Sequence, residues 1–437
     1  MPANSEHRSF RTFTFVWFGQ LISMIGSSMT WFAVSIWVWQ LTGRATDLAL
    51  FGFFSQLPQI FMYLISGTVV DRASRKLLMI VGDLITGVLT IILAVLYLSG
   101  HIQIWHLYMT VAIAGIFEQF QALAFEASIS TLVDRKDYTR ATSMGFFAEF
   151  ASYGLGPALA GVLYLTIGLG GIMAIDIATF LIAISIVVSV HIPQPARSHS
   201  VFEGDARTDA AQPFNILKEL SFGWRYLTRH RGLMILLVWT SLFWFAHDLG
   251  QSVYSAMVLA RSNSDPRILG SLTAASGIAG VLSAAVMGKF GGFKRQVNGI
   301  RLGMLGVGLS KIVFGLGRVP LIWIPAEFAC CLNLPILGSS TDTIWLNRVS
   351  PELQGRVFAT SAMVMKMISS LGYLASGPLA DRFFEPAMMP GGLLAPMLGG
   401  VFGTEKGSGI ALLFVICAIS MFSIGVVGYR SPQLQRL

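Results

Sequence analysis

Gly67 to Asp83 reads GTVVDRASRKLLMIVGD, and this stretch decides the fold. It sets Asp71, Arg72, Arg75 and Lys76 between two long apolar runs. Charges this close to hydrocarbon on both sides fit a tight polar hairpin joining two membrane-spanning helices, placed at a membrane face. Most of the charges are basic. Because Lys and Arg in short loops set orientation, that face is expected to be cytoplasmic.

The composition agrees with this reading. Of 437 residues, 54% are hydrophobic and 12% charged, against roughly 45–50% apolar and 25% charged in soluble domains. A helical span needs about 20 apolar residues, and twelve spans with their loops fit the length. A membrane β-barrel would show short alternating segments instead. Spans are predicted at 12–40, 46–68, 77–99, 104–130, 141–165, 172–191, 231–258, 267–290, 300–317, 321–347, 357–384 and 409–428. With the N-terminus inside, the inner segments and span ends hold 22 of the 30 Lys and Arg, and the outer ones hold six. Lys311 and Lys366 alone fall deep within spans. The chain is therefore expected to be a multi-pass protein of a prokaryotic plasma membrane with both termini cytoplasmic. The net charge of +8 follows from that asymmetry and does not imply nucleic acid. Cys330, Cys331 and Cys417 all lie in apolar runs, so neither a disulfide nor a metal site is implied.

The chain divides into three parts. Residues 1–191 and 231–437 are each expected to form a six-helix bundle, and 192–230 a cytoplasmic linker. The linker is polar and contains Pro, but Leu217, Leu220, Trp224 and Leu227 recur at helical spacing opposite Lys218, Arg225 and Arg229. That pattern predicts an amphipathic helix on the inner membrane surface. The halves also repeat one another: Val133-x6-Arg140 recurs as Val349-x6-Arg356, Gly156-Pro157 as Gly377-Pro378, and Asp47-x4-Gly52 as Asp265-x4-Gly270. Each recurrence is offset by about half the chain. The outer loop 385–408, rich in Gly, Pro and Met, is long for a connector.

No nucleotide-binding loop, nucleophile elbow or metal-spaced His and acid cluster is present. An enzyme is not expected, and no cofactor. What remains is a cavity between helices with costly intramembrane charges. In the first span Gln20, Ser23, Ser27 and Trp31 share one helical face, and in the seventh Thr240, Trp244, His247, Gln251 and Tyr254 do. Aromatics mixed with small polar groups suit a large amphipathic substrate. Packing of the small residues against a neighbouring helix is the competing reading for the first stripe. Buried carboxyls are candidates for proton coupling, ranked Glu118, Asp248, Glu126. Lys311 and Lys366 are expected to need partners among the acids.

The spacing Gly67-x-x-x-Asp71-Arg72-x-x-Arg75-Lys76 resembles the loop between the second and third helices of the major facilitator superfamily of transporters, with Ser74 where that family usually has Gly. Ser152-Tyr-Gly154-Leu-Gly156-Pro157-Ala-Leu-Ala-Gly161 resembles the Gly-rich antiporter motif of its drug exporters. The hairpin, VSPELQGRVFA at 349–359 and SGPLADRFFEPAMMPGG at 376–392 are similar to the branch that includes macrolide and enterobactin exporters. The resemblance implies an all-α membrane protein of twelve helices in two pseudo-symmetric bundles, and efflux of a drug, macrolide, siderophore or peptide natural product by proton antiport. It implies that the first and seventh spans face the central cavity. It also implies that Asp71 docks on the start of the eleventh span, near Arg356, when the cytoplasmic side is closed, with Gly67, Arg72, Arg75, Lys76 and Arg140 in the surrounding gate. The expected partners are a small-molecule substrate, protons and membrane lipids, with the chain acting as a monomer. A lysophospholipid or lipid flippase is the alternative, and a non-transporting sensor a more distant one.

Overall fold

The computed structural model describes residues 10–72, 74–134, 137–190, 216–290 and 293–430. Helices dominate because, in hydrocarbon, a helix satisfies every backbone donor and acceptor within its own segment. The N-terminal half contains α1 (Phe10–Thr42), α2 (Ala45–Arg72), α3 (Arg75–Leu98), α4 (Ile104–Leu132) and α5 (Tyr138–Ser189). After α6 (Ile216–Arg229) come α7 (Arg231–Arg261), α8 (Pro266–Phe290), α9 (Gln296–Leu316), α10 (Pro320–Arg348) and α11 (Pro351–Pro378). Helix α11 runs on through a π-helical turn, Leu379–Phe384, into α12 (Glu385–Met388); α13 (Ala395–Phe402) and α14 (Ser408–Arg430) follow.

The 52 residues of α5 are too many for one crossing, and Gly168, at φ 63° and ψ −172°, breaks the run. Contacts with α1 show that the chain reverses there. Along the first limb, the Trp17 indole donates to Met144 O at 2.7 Å and the Tyr164 hydroxyl to Gln40 at 2.8 Å, so the limb rises with α1. Along the second, Ser27 donates to Asp176 while Gly19 packs on Ile186, so this limb descends. Ten helical segments are long and apolar enough to cross a membrane; the split of α5 and the addition of α2 bring the crossings to twelve among the described residues.

The apolar core is divided unequally. On the face remote from the 67–76 hairpin (the far face), one cluster joins both bundles, running from Met29, Ile36 and Ala160 to Val253, Leu272 and Phe314. On the hairpin face there are two separate clusters. Phe13, Met79, Ile129 and Val187 pack within the first bundle, and Leu236, Ile300, Ile344 and Val357 within the second. The bundles are thus fused at one face and apart at the other.

Two seams make the fusion. At α5/α8, glycines let the backbones touch: a Cβ on Gly277 would lie 2.7 Å from Gly154 Cα, and one on Gly270 would lie 2.7 Å from Pro157 O. At α2/α11, Gly52 meets Tyr373 and Gly377 meets Thr46.

The long outer loop is folded onto the far face. Arg318 donates to Val401 O at 2.6 Å, Arg261 to Phe402 O at 2.7 Å, and the Glu385 carboxylate accepts from Gly407 N and Ile410 N, capping α14. Helix α6 is docked on the protein as well as amphipathic: Leu227 is fully buried, Gly223 lies against Thr360, and Trp224 remains exposed.

Candidate functional site: a cavity in the first bundle

A cavity of about 580 Å³ lies against the first bundle, lined by residues of α1, α3, α4 and the first limb of α5. Its wall extends from Trp31, midway along α1, down to Ile129 and Thr142 beside the α4–α5 connection, so it opens on the hairpin face. The α1 stripe contributes Gln20, Ser23, Ser27 and Trp31 to this wall, because residues three and four apart align on a helix. Trp17, Phe125 and Phe146 add aromatic surface, while Glu118, Glu149 and Asp83 bring carboxyl groups.

Asp83 is the most buried of these acids. It is 2% exposed, and amides hold both of its oxygens: Gln20 Nε2 donates to Oδ2 at 3.0 Å, and Gln121 Nε2 donates to Oδ1. Gln121 also donates to Gln20 Oε1 at 2.8 Å, closing a three-residue ring. One step farther from the opening, Asp176 is 3% exposed and accepts from Ser27 at 3.1 Å and from Thr90 at 3.2 Å. Among the described residues, both acids are held by neutral donors. Ser23 and Ser27 thus join the wall, and Ser27 is also spoken for by Asp176.

Glu118 is exposed to the cavity, near the middle of α4. The side chain of Glu126 lies outside the described residues. Asp248 sits at a junction of three helices. Its Oδ1 is 2.9 Å from His247 Nδ1 and its Oδ2 accepts from Ser369 of α11 at 2.5 Å. Across the α2/α11 seam, Gln56 Oε1 accepts from Lys366 Nζ at 3.1 Å.

The two intramembrane lysines differ from expectation in their partners. Lys311 is 1% exposed and donates to Gln251 Oε1 at 2.6 Å, with the Phe414 ring 5.3 Å away; Lys366 donates to Gln56. Each is therefore satisfied by an amide carbonyl. An amide dipole, helped for Lys311 by a π-face, stabilises the ammonium without a formal ion pair.

The α7 stripe serves its own bundle in large part. Thr240 donates to Leu236 O, Gln251 is held by Lys311, and Tyr254 stacks on Phe314 with centroids 5.2 Å apart. Trp244 meets His247 edge-on at 4.9 Å, beside Asp248. Of the gate residues, the side chains of Asp71 and Arg72, like Gly67, fall outside those described. Lys76 donates to Val188 O and Val190 O at 2.9 and 2.7 Å, capping the end of α5. Arg140 lies over Phe10 at 4.4 Å, and Arg356 over Phe222 of α6 at 5.4 Å. Gly154, Gly156, Pro157 and Gly161 line α5 where it meets its neighbours: Gly156 packs on Ser28 of α1, and the others face α8 across the seam.

Periodicity and motif spacing do not single out Asp83, Gln121, Gln56, Asp176 or Glu327. Glu327 is 5% exposed, accepts from Ser276 at 3.0 Å through Oε1, and among the described residues has no hydrogen-bond partner at Oε2. The available signal was each acid's isolation within an apolar run.

The twelve crossings in two bundles are matched by sequence. The Major Facilitator Superfamily profile aligns with residues 16–373. The chain belongs to this superfamily. Among its relatives, macrolide efflux protein A of Streptococcus pyogenes is 26% identical over 372 residues, covering 84% of this chain and 89% of that one. The multidrug efflux pump Tap of Mycolicibacterium fortuitum is 24% identical over 432 residues, covering 96% and 95%. In fold, the crystal structure of the nucleoside transporter NupG superimposes with a TM-score of 0.68 at 11% identity, covering 97% of this chain and all of that one. Members of the superfamily are transporters, and this chain is an integral membrane protein that shares their fold.

Proposed function

We propose that this transporter exports an amphipathic small molecule across a prokaryotic plasma membrane in exchange for protons, alternating the access of one cavity between the two faces. The observation that carries the proposal is the cavity itself, whose wall combines Trp17, Trp31 and Phe125 with amides, hydroxyls and carboxyls. Aromatic faces accept varied apolar bodies, and a few polar groups orient them. The macrolide and multidrug efflux activities named for its relatives point to the same substrate class. The hairpin face is taken as cytoplasmic from the Lys and Arg distribution, so the open cavity would load substrate from inside the cell.

Coupling requires that substrate and proton have different affinities in the two states. Glu118 is the first candidate, since it combines mid-membrane depth with exposure to the cavity; Asp248 and Glu126 follow. A carboxyl protonated while the cavity faces outward would release its proton inward as substrate binds. Asp71 is assigned to the cytoplasmic gate, docking on the N-terminus of α11 when that face closes, with Arg72, Arg75 and Arg140 around it. Uptake of a macrolide into inside-out proteoliposomes tests the reading. An imposed gradient, acidic inside the vesicle, is expected to drive accumulation that a protonophore abolishes. Accumulation indifferent to the gradient and to the protonophore would contradict proton antiport.

A further inference from the structure

Helices α2 and α11 lie side by side across the bundle seam, and each ends in the same pattern. Helix α2 closes with Gly67-Thr-Val-Val-Asp71-Arg72, and α11 with its π-helical turn carries Gly377-Pro-Leu-Ala-Asp381-Arg382. The helices are antiparallel: Thr46, at the start of α2, meets Gly377, while Gln56, farther along α2, meets Lys366, earlier in α11. The antiparallel run therefore brings the α11 pattern to the start of α2 at the far face, and directs the α2 pattern toward the end of the seam from which α11 begins.

At the far face this juxtaposition is made in detail. The backbone N–H groups of Ala45 and Thr46 donate to Asp381 Oδ1 and Oδ2 at 3.0 and 2.8 Å, and Thr46 Oγ1 donates to Oδ2 at 2.6 Å. A helix N-terminus leaves such donors unsatisfied, and a side-chain acceptor just before the helix ordinarily supplies the cap. Here Gly43 and Arg44 precede α2, and neither offers an acceptor side chain. The cap comes instead from the other bundle, 336 residues along the chain. Gly377 makes the approach feasible, since any side chain there would strike the Thr46 backbone. The π-helical turn at Leu379–Phe384, a local distortion of a kind frequent at functional sites, holds Asp381 at the point where α11 reaches α2.

We propose that Asp381 is the latch of the far-face gate, the counterpart at the opposite end of the same seam of the role assigned to Asp71. Its carboxylate holds the bundles together while the cavity opens on the hairpin face, and it must leave the α2 N-terminus when the far face opens. The same helix pair would thus carry one carboxylate-to-helix latch at each end, closed in alternation. This rests on the two-state reading above, but it is testable without substrate or protons.

Spin labels at the exposed far-face positions His101 and Glu405, in opposite bundles, would report the separation by pulsed electron resonance in lipid nanodiscs, with the three native cysteines replaced. Asp381→Asn is expected to raise the population with a widened far face roughly tenfold, the scale of a lost charged cap acting between two states. Thr46→Val, which removes a single donor, should move it the same way by less, and so provides a second readout if Asp381→Asn folds poorly. Asp265→Asn is the control, because Asp265 is another far-face acid but bonds locally to Arg267 at 2.9 Å, and it should leave the distances unchanged. If neither Asp381→Asn nor Thr46→Val widens the distribution, or if Asp265→Asn does so equally, the latch is refuted. A failure of proton-driven transport with the distance changes intact would overturn the antiport reading and leave the latch standing.

Discussion

The two bundles differ in the buried charge they carry. In the first, the deeply buried ionisable groups are acids held by neutral donors: Asp83 by Gln20 and Gln121, Asp176 by Ser27 and Thr90. In the second, Glu327 is likewise held by the Ser276 hydroxyl, but buried bases are present too: Lys311 lies against an amide carbonyl, and Arg301, 6% exposed, donates to Gly428 O at 2.8 Å. An acid on neutral donors can gain or lose a proton without stranding a basic partner, whereas a buried lysine on a single acceptor cannot lose that acceptor cheaply. The duplicated scaffold thus buries acids on neutral donors in both halves and adds buried positive charge in the second.

The sharpest way to break this contrast is to remove the acceptor on the basic side. Gln251→Leu leaves the Lys311 ammonium buried beside an apolar group, and a loss of about 2–3 kcal/mol in stability is expected, the scale of a hydrogen bond to a charged group. Thermal unfolding in detergent measures it, and Lys311→Met added to Gln251→Leu should recover most of the loss. Absence of both effects would mean that the lysine finds another partner and that the bundles do not differ in this respect.

A smaller effect is expected on the acidic side. Asp83→Asn keeps an acceptor for one glutamine and removes the charge, so stability should fall by about 1 kcal/mol or less. A loss as large as that for Gln251→Leu would show that Asp83 is needed ionised, and would remove it from any role in proton exchange.

Legibility in the sequence divided along a physical line. Features set by one helix were readable: the apolar runs gave the spans, the break near Gly168 fell between two predicted crossings, and the helical period aligned Gln20, Ser23, Ser27 and Trp31. Features set by the meeting of helices were not. Asp83 lay within the stretch that decided the fold, yet nothing there reveals Gln20, 63 residues before it, or Gln121, 38 after it. Lys366 and Gln56 are 310 residues apart. Periodicity names a face but not its neighbour, so Gln251 and Tyr254 shared a predicted cavity face while both engage α9, through Lys311 and Phe314. The pattern at Gly377 to Arg382 was visible only as family resemblance until the structure set Asp381 against the start of α2.

The central claim is that a carboxyl at the cavity changes protonation as access alternates. Gradient-driven and downhill flux, measured in proteoliposomes with expression as a check on folding, test it most directly for Glu118→Gln, Asp248→Asn, Glu126→Gln and the triple variant. Glu118→Gln is predicted to abolish uphill, gradient-driven transport while leaving downhill exchange and folded yield largely intact. Full pH-driven transport in all three single variants and in the triple variant would contradict the account.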